Sequence, residues 1–176
     1  INLRPHQPRQ RLLSGESHYY QGQRYRLHVD ERAHKAPGVE LLGEDTMQLR
    51  VRPGLDLRGR QAVLTEWYRG RLKALLPGLV AQWQPVIGVE VAEWRVRRMK
   101  TRWGSCNIGA RRIWLNLELA KVTPGCLEYV LVHEMVHLLE RYHNDRFHRF
   151  MDRFLPDWQA RKAELEGAPL GRPAEG

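Results

Sequence analysis

His133-Glu134-Met135-Val136-His137 places two imidazoles four residues apart inside an apolar run from Leu127 to Leu139. On a helix that spacing sets both rings on one face, one turn apart. Two such rings can share one metal ion, and zinc is the usual occupant of a nitrogen-rich tetrahedral site. Glu134 follows the first ring and lies beside the site. There it can take a proton from a zinc-bound water, the arrangement of metal-dependent peptide hydrolysis. A chance match is the competing reading, with two histidines held by hydrogen bonds in a core. That reading gives Glu134 no purpose, and burying three such groups is costly unless they are satisfied.

A catalytic zinc takes three protein ligands and keeps one open position. Glu140 is within reach in sequence, but on a continued helix it lies roughly 10 Å along the axis from His133. The third ligand is therefore expected from chain that has turned away. His143 sits at such a turn, just before Asn144 and Asp145, which are helix-capping residue types. His148 is the rival, inside the following helix and about 100° off its apolar stripe.

The elements that must hold these residues have readable boundaries. Thr123 is of N-cap type, and Pro124 suits the first helical position. Val130, Leu131, Met135, Leu138 and Leu139 spread around this helix, which predicts burial. Phe147, Phe150, Met151 and Phe154 recur at helical spacing and predict a second helix ending near Leu155, before Pro156. Upstream, Tyr25–Val29 and Met47–Arg52 alternate as strands do, with turns at 36–38 and Gly43. Residues 60 to about 83 read as a helix that Pro77-Gly78 kinks or splits. Residues 93–100 and 111–117 read as two strands of a hairpin, joined by a turn over 104–110.

The chain has 176 residues, 42% of them hydrophobic, enough for one domain with a real core. The domain is expected over residues 18–166, with a tail or linker over 1–17 and a disordered tail over 167–176. No run is long and apolar enough to span a membrane, and no secretory signal is visible. The first residue is Ile1, which reads as a processed or truncated chain. Two cysteines, Cys106 and Cys126, are too few for a disulfide framework, so a cytoplasmic location is expected. The oligomeric state has no sequence signal.

Net charge is +9, unevenly spread. Residues 61–122 carry 11 basic and 4 acidic side chains, whereas residues 123–176 carry 7 and 9. Arg95, Arg97, Arg98, Lys100, Arg102, Arg111 and Arg112 form a stretch with no acid between its ends. It reads either as a surface for nucleic acid or, preferably, as a solvated strand face.

Together, 100–106 (Lys-Thr-Arg-Trp-Gly-Ser-Cys), 115–117 (Leu-Asn-Leu), 129–137 ending in the paired histidines, and 143–147 (His-Asn-Asp-Arg-Phe) resemble the YgjP-like metallopeptidases. These are relatives of the SprT-like and WLM zincins, and the similarity spans about residues 18–165. The resemblance implies an α+β fold: a minimal zincin helical core with the histidine-bearing helix, packed with antiparallel strands from the N-terminal part. It also implies zinc held by His133, His137 and His143, and more chain before the segment matching residues 1–17.

The expected activity is zinc-dependent hydrolysis of a peptide or protein substrate, with Glu134 as general base. Trp103 and Arg102 are the expected substrate-binding residues. Tyr129, Arg102 and His148 compete for the oxyanion-stabilising role, and Asn116 could hold a neighbouring segment or close a turn. Two alternatives stand beside this. One is a DNA-associated protease of the SprT-like kind, supported only by the basic stretch. The other is a zinc-stabilised binding module without turnover.

Overall fold

The computed structural model describes residues 10–32 and 36–169. Two sheets and four helices surround one apolar core, which makes the fold α+β. The first sheet takes β1 (Ser17–Tyr20), β2 (Gln23–Asp30), β3 (Gly38–Leu42) and β4 (Thr46–Arg50), in the order β1-β2-β4-β3. Its β1–β2 and β3–β4 pairs are antiparallel, as expected of the N-terminal strands, while β2 and β4 run parallel. Alternation explains the burial: Tyr25, Leu27, Met47 and Leu49 all face the core.

Residues 10–17 belong to this packing and not to a tail. Leu12 is 2% exposed. The Glu16 carboxylate accepts from the backbone N–H groups of Arg11 and Leu12, and Gly15 N–H donates to Leu27 O. Residues 1–9 and 170–176 of the expected tails lie outside the described residues.

Helix α1 (Leu57–Ile87) follows, about 46 Å long at 1.5 Å per residue. Asp56 caps its start by accepting from Gly59 N–H, and Gly88, at φ 79°, ends it. The expected break at Pro77-Gly78 does not occur, since the helix runs through Pro77 and Pro85. The reason is tertiary. Leu64, Tyr68, Leu72, Leu76, Val80, Trp83 and Ile87 form one continuous buried stripe, and Pro77 lies off it. Burying such side chains contributes roughly 1.5–3 kcal/mol each, which outweighs the roughly 3 kcal/mol that an interior proline costs.

The second sheet has the order β5-β7-β6, with β5 (Glu93–Arg97), β6 (Gly104–Asn107) and β7 (Arg112–Asn116). The expected hairpin of residues 93–100 with 111–117 is corrected here. β5 and β7 are parallel, and β7 makes its hairpin with β6, inside the segment read as a turn. Gly-Ser-Cys-Asn carries no β-branched or aromatic residue, so its sequence hides the strand.

A 3-10 turn (Leu117–Ala120) leads to α2 (Pro124–Val136), then α3 (Asp145–Phe154) and α4 (Trp158–Glu166). Helix α2 touches α1, α3, α4, β6 and β7, which is why it is apolar all round. Glu128 on α2 accepts from Trp83 Nε1 (3.0 Å) and Arg161 Nη1 (2.6 Å), tying three helices at one carboxylate. Thr123 occupies the N-cap position, but its hydroxyl makes no capping bond and donates to Glu164 Oε1. Among the described residues no helix is long and apolar enough to cross a membrane.

Candidate metal centre and active site

Helix α2 delivers His133 and Glu134 in its last turn, and His137 sits at its C-cap. The chain turns over 138–144 and re-enters a helix where Asn144 Oδ1 accepts from Phe147 N–H. That cap fixes His143 at the bend. The three imidazoles meet there. His143 Nε2 lies 3.1 Å from His133 Nε2 and 3.0 Å from His137 Nε2. At Zn–N bonds of 2.0–2.1 Å, the edge of a ligand tetrahedron is about 3.3 Å. Two of the three nitrogen–nitrogen distances are close to that spacing, and all three ligand atoms lie within 4.8 Å of one another, so the donor set can hold a metal ion.

A backbone contact prepares one ring for a metal. Glu140 O lies 3.1 Å from His137 Nδ1 and accepts from its N–H, which leaves the Nε2 lone pair toward the cluster. Burial is the main force holding the His137 pKa below its ordinary value, followed by the opposing bond to Glu140 O. A neutral ring is the form that can ligate. Phe147, 2% exposed, lies under all three rings, with centroids 4.8–5.0 Å away. It gives the cluster an apolar floor.

The rival ligands are elsewhere. His148 is exposed and stacks on Trp158 at 5.6 Å and 7°. The Glu140 carboxylate accepts from Tyr142 N–H and Arg146, bracing the 138–144 turn. Tyr129 is buried, with its ring edge-on to His133 at 5.9 Å.

A cleft of ≈ 470 Å³ opens onto the cluster, lined by Glu134, His137, His143, Arg102, Cys106 and Arg141 among others. Glu134 is 2% exposed, at the meeting of α2 and β6. Arg102 lines the cleft, and Trp103 does not. It is 2% exposed and faces the core, because alternation along the chain sends its ring to the side opposite Arg102. The expectation that Trp103 binds substrate is thereby corrected. Asn116, wholly buried, donates from Nδ2 to Met99 O (2.9 Å) and Arg102 O (2.8 Å), and so holds the segment that presents Arg102.

Sequence reading missed three cleft features. Gly104 backs onto Glu134, and its place in the 100–106 motif was the only available signal. Arg141 lines the cleft from the turn after α2, where nothing in the sequence marks it. Cys106 lines it from β6, with its thiol pushed up to about 12 by burial and then by the Glu134 charge. Cys106 is not part of the group of three histidines that could hold a metal.

The basic stretch is less bare than its sequence suggests. Glu93 pairs with Arg95 and Arg112, and Glu118 pairs with Arg98. Arg97 and Arg95 cover the Trp114 ring at 4.2 and 5.7 Å.

An α+β fold, two histidines in one helical turn, a third at the next bend and a buried glutamate beside them form the kind of site that a metallopeptidase needs. The model of the YgjP-like metallopeptidase domain matches residues 1–168, and the chain belongs to that family. It is therefore a metal-dependent hydrolase of peptide bonds. Among solved structures, the metallopeptidase zymogen of Pyrococcus abyssi abylysin shares the fold. The TM-score is 0.52 at 19% identity, covering 57% of this chain and 99% of that one. The zymogen of Methanocaldococcus jannaschii jannalysin matches at TM-score 0.45 and 17% identity, covering 51% of this chain and 90% of that one. Comparison with curated proteins gives no match.

Proposed function

We propose that the chain hydrolyses peptide bonds in extended polypeptide, using a zinc ion held by His133, His137 and His143 and the carboxylate of Glu134 as general base. The observation that carries this is the convergence of three imidazole Nε2 atoms, 3.0 and 3.1 Å apart, at the head of a cleft that Glu134 lines. Bound zinc supplies a Lewis acid that polarises a carbonyl and lowers the pKa of water toward 7.

The protein's own groups do the rest. Glu134, buried beside the cluster, accepts a proton from the attacking water and passes it to the departing amine. His137, neutral through burial, stays a ligand below the pH at which a free imidazole protonates. Phe147 keeps bulk water from the far side of the rings. Arg102 and Arg141 face the cleft, where a carbonyl oxygen gains charge during the reaction.

The test compares the wild type with Glu134→Gln on fluorescein-labelled casein. Chelation should abolish cleavage and zinc should restore it. Glu134→Gln should keep its zinc and lose about 10²-fold or more in rate, the usual contribution of a positioned base. Retained cleavage in that variant would remove Glu134 from the mechanism. No cleavage by the zinc-loaded wild type would favour a binding module without turnover.

A further inference from the structure

Several arginines near the cleft are paired: Arg95 and Arg112 with Glu93, Arg98 with Glu118, and Arg146 with Glu140. Arg102 and Arg141 line the cleft, are exposed, and enter no ion pair among the described residues. Glu134 is the single acid among the cleft's lining residues, and it is buried.

Ile108 lines both the cleft and a second groove of ≈ 820 Å³ between the end of α1, the β6–β7 turn and Leu138-Leu139. Arg111 lies in that groove and is likewise outside every ion pair given for the described residues. Its backbone sits at φ 51°, where a residue with a side chain is strained. The fold imposes this conformation, since Arg111 O accepts from the N–H groups of Ala92 and Glu93 at the start of β5. Glycine or asparagine would meet the requirement at lower cost.

We infer that the cleft and the groove that adjoins it at Ile108 select acidic polypeptide: Arg102 and Arg141 receive carboxylates of residues flanking the scissile bond, and Arg111 receives one further along the chain. This rests on the peptidase reading above and names its substrate class. Three arginines lining two adjoining grooves, on a chain of net charge +9, also draw an acidic segment in from solution. Glu90, the one acid lining the second groove, leaves a place there for a basic residue beyond the acidic ones.

The test digests a library of unstructured peptides with the zinc-loaded protein and maps the cuts by mass spectrometry. Asp and Glu should be enriched within a few residues of the cleaved bonds. For one cleaved peptide, the Asp version should exceed the Asn version in kcat/KM by about threefold to tenfold, the size that one or two partly exposed ion pairs supply. The ratio should shrink as salt rises from about 50 to 300 mM, because exposed charges are screened. Arg141→Glu should move the enrichment toward Lys and Arg, which loss of folding cannot do. Zinc-loaded Glu134→Gln, followed by fluorescence anisotropy, should bind the Asp peptide more tightly than the Asn peptide without cutting it. Glu134-dependent cleavage with no charge preference would overturn this inference and leave the peptidase reading standing. A single-stranded oligonucleotide that displaces the Asp peptide at equal or lower concentration would also overturn it, by showing a surface for polyanions in general. No Glu134-dependent cleavage of any peptide would remove both readings.

Discussion

Gly104 presses against Glu134. A Cβ at position 104 would lie 3.0 Å from Glu134 Cγ, 3.1 Å from its Oε2 and 3.1 Å from Trp114 O. Strand β6 thus approaches the carboxylate as closely as a strand without a side chain can. Trp114 O is backbone of the paired strand, so an added methyl must shift Glu134, β6 or both by a few tenths of an ångström. Gly104→Ala is expected to lower kcat by about tenfold to 10²-fold, the effect of displacing a reacting group by a fraction of an ångström to 1 Å. Zinc content should be retained, because the three histidines do not touch residue 104. Assaying kcat and bound zinc on the same preparation checks this; joint loss of both would place Gly104 in folding alone.

Asn116 gives a second, separable prediction. Its side chain, itself fully buried, donates to Met99 O and Arg102 O and accepts from Glu118 N–H. Asn116→Asp replaces two donors by an acceptor facing two carbonyls. It should cost about 2–4 kcal/mol, the range for several buried groups left unmatched. It should also raise KM, since the segment carrying Arg102 loses its anchor. Denaturant unfolding and steady-state kinetics measure the two effects. Unchanged stability would show that the loop does not depend on this side chain.

The ligand set is open to a direct comparison. His143→Ala should reduce bound zinc to a small fraction of one equivalent, while His148→Ala should keep it near one. His148 is stacked on Trp158, outside the group of three rings. Metal analysis after dialysis against a weak chelator decides it. Equal loss in both variants would mean that the 138–148 segment rearranges around the metal.

How far these features could be read in advance depends on how local their cause is. The pairing of His133 with His137 follows from helix periodicity, and the bend before Asn144 from capping chemistry, so the sequence pointed to three histidines that the fold brings together. The hairpin partner of β7 was hidden because Gly104-Ser-Cys-Asn107 has no strand propensity and pairs only because β7 lies alongside. The continuity of α1 through Pro77 comes from a buried stripe on a different face. The core position of Trp103 and the cleft position of Arg102 depend on which side of the sheet faces α2, and no local pattern decides that. The charges on the basic stretch looked unopposed because Glu93 and Glu118 lie outside it in sequence and beside it in space.

The last prediction concerns pH and lies far from the metal centre. His18 on β1 is 2% exposed, with Nε2 3.3 Å from Glu16 Oε2. Burial is the largest influence on its pKa and lowers it, the Glu16 contact opposes this, and the charge of Lys121 adds to the lowering. In the unfolded chain the same imidazole titrates near 6.5. As pH falls through that value the unfolded state takes up a proton that the folded state resists. The unfolded state then binds more protons, so stability falls with falling pH. The contribution of His18 is whole above about pH 6.5 and is lost progressively as pH drops toward its lowered folded value. The zinc-free protein should therefore lose a few degrees of Tm between about pH 7 and pH 5, at roughly 2–4 °C per kcal/mol for a chain of this size. In His18→Gln the slope should be smaller, because a neutral amide of similar reach takes up no proton. Thermal unfolding of both proteins at matched ionic strength measures the difference. Parallel pH profiles would assign the acid sensitivity to other groups, the buried histidine of the metal cluster, His137, first among them.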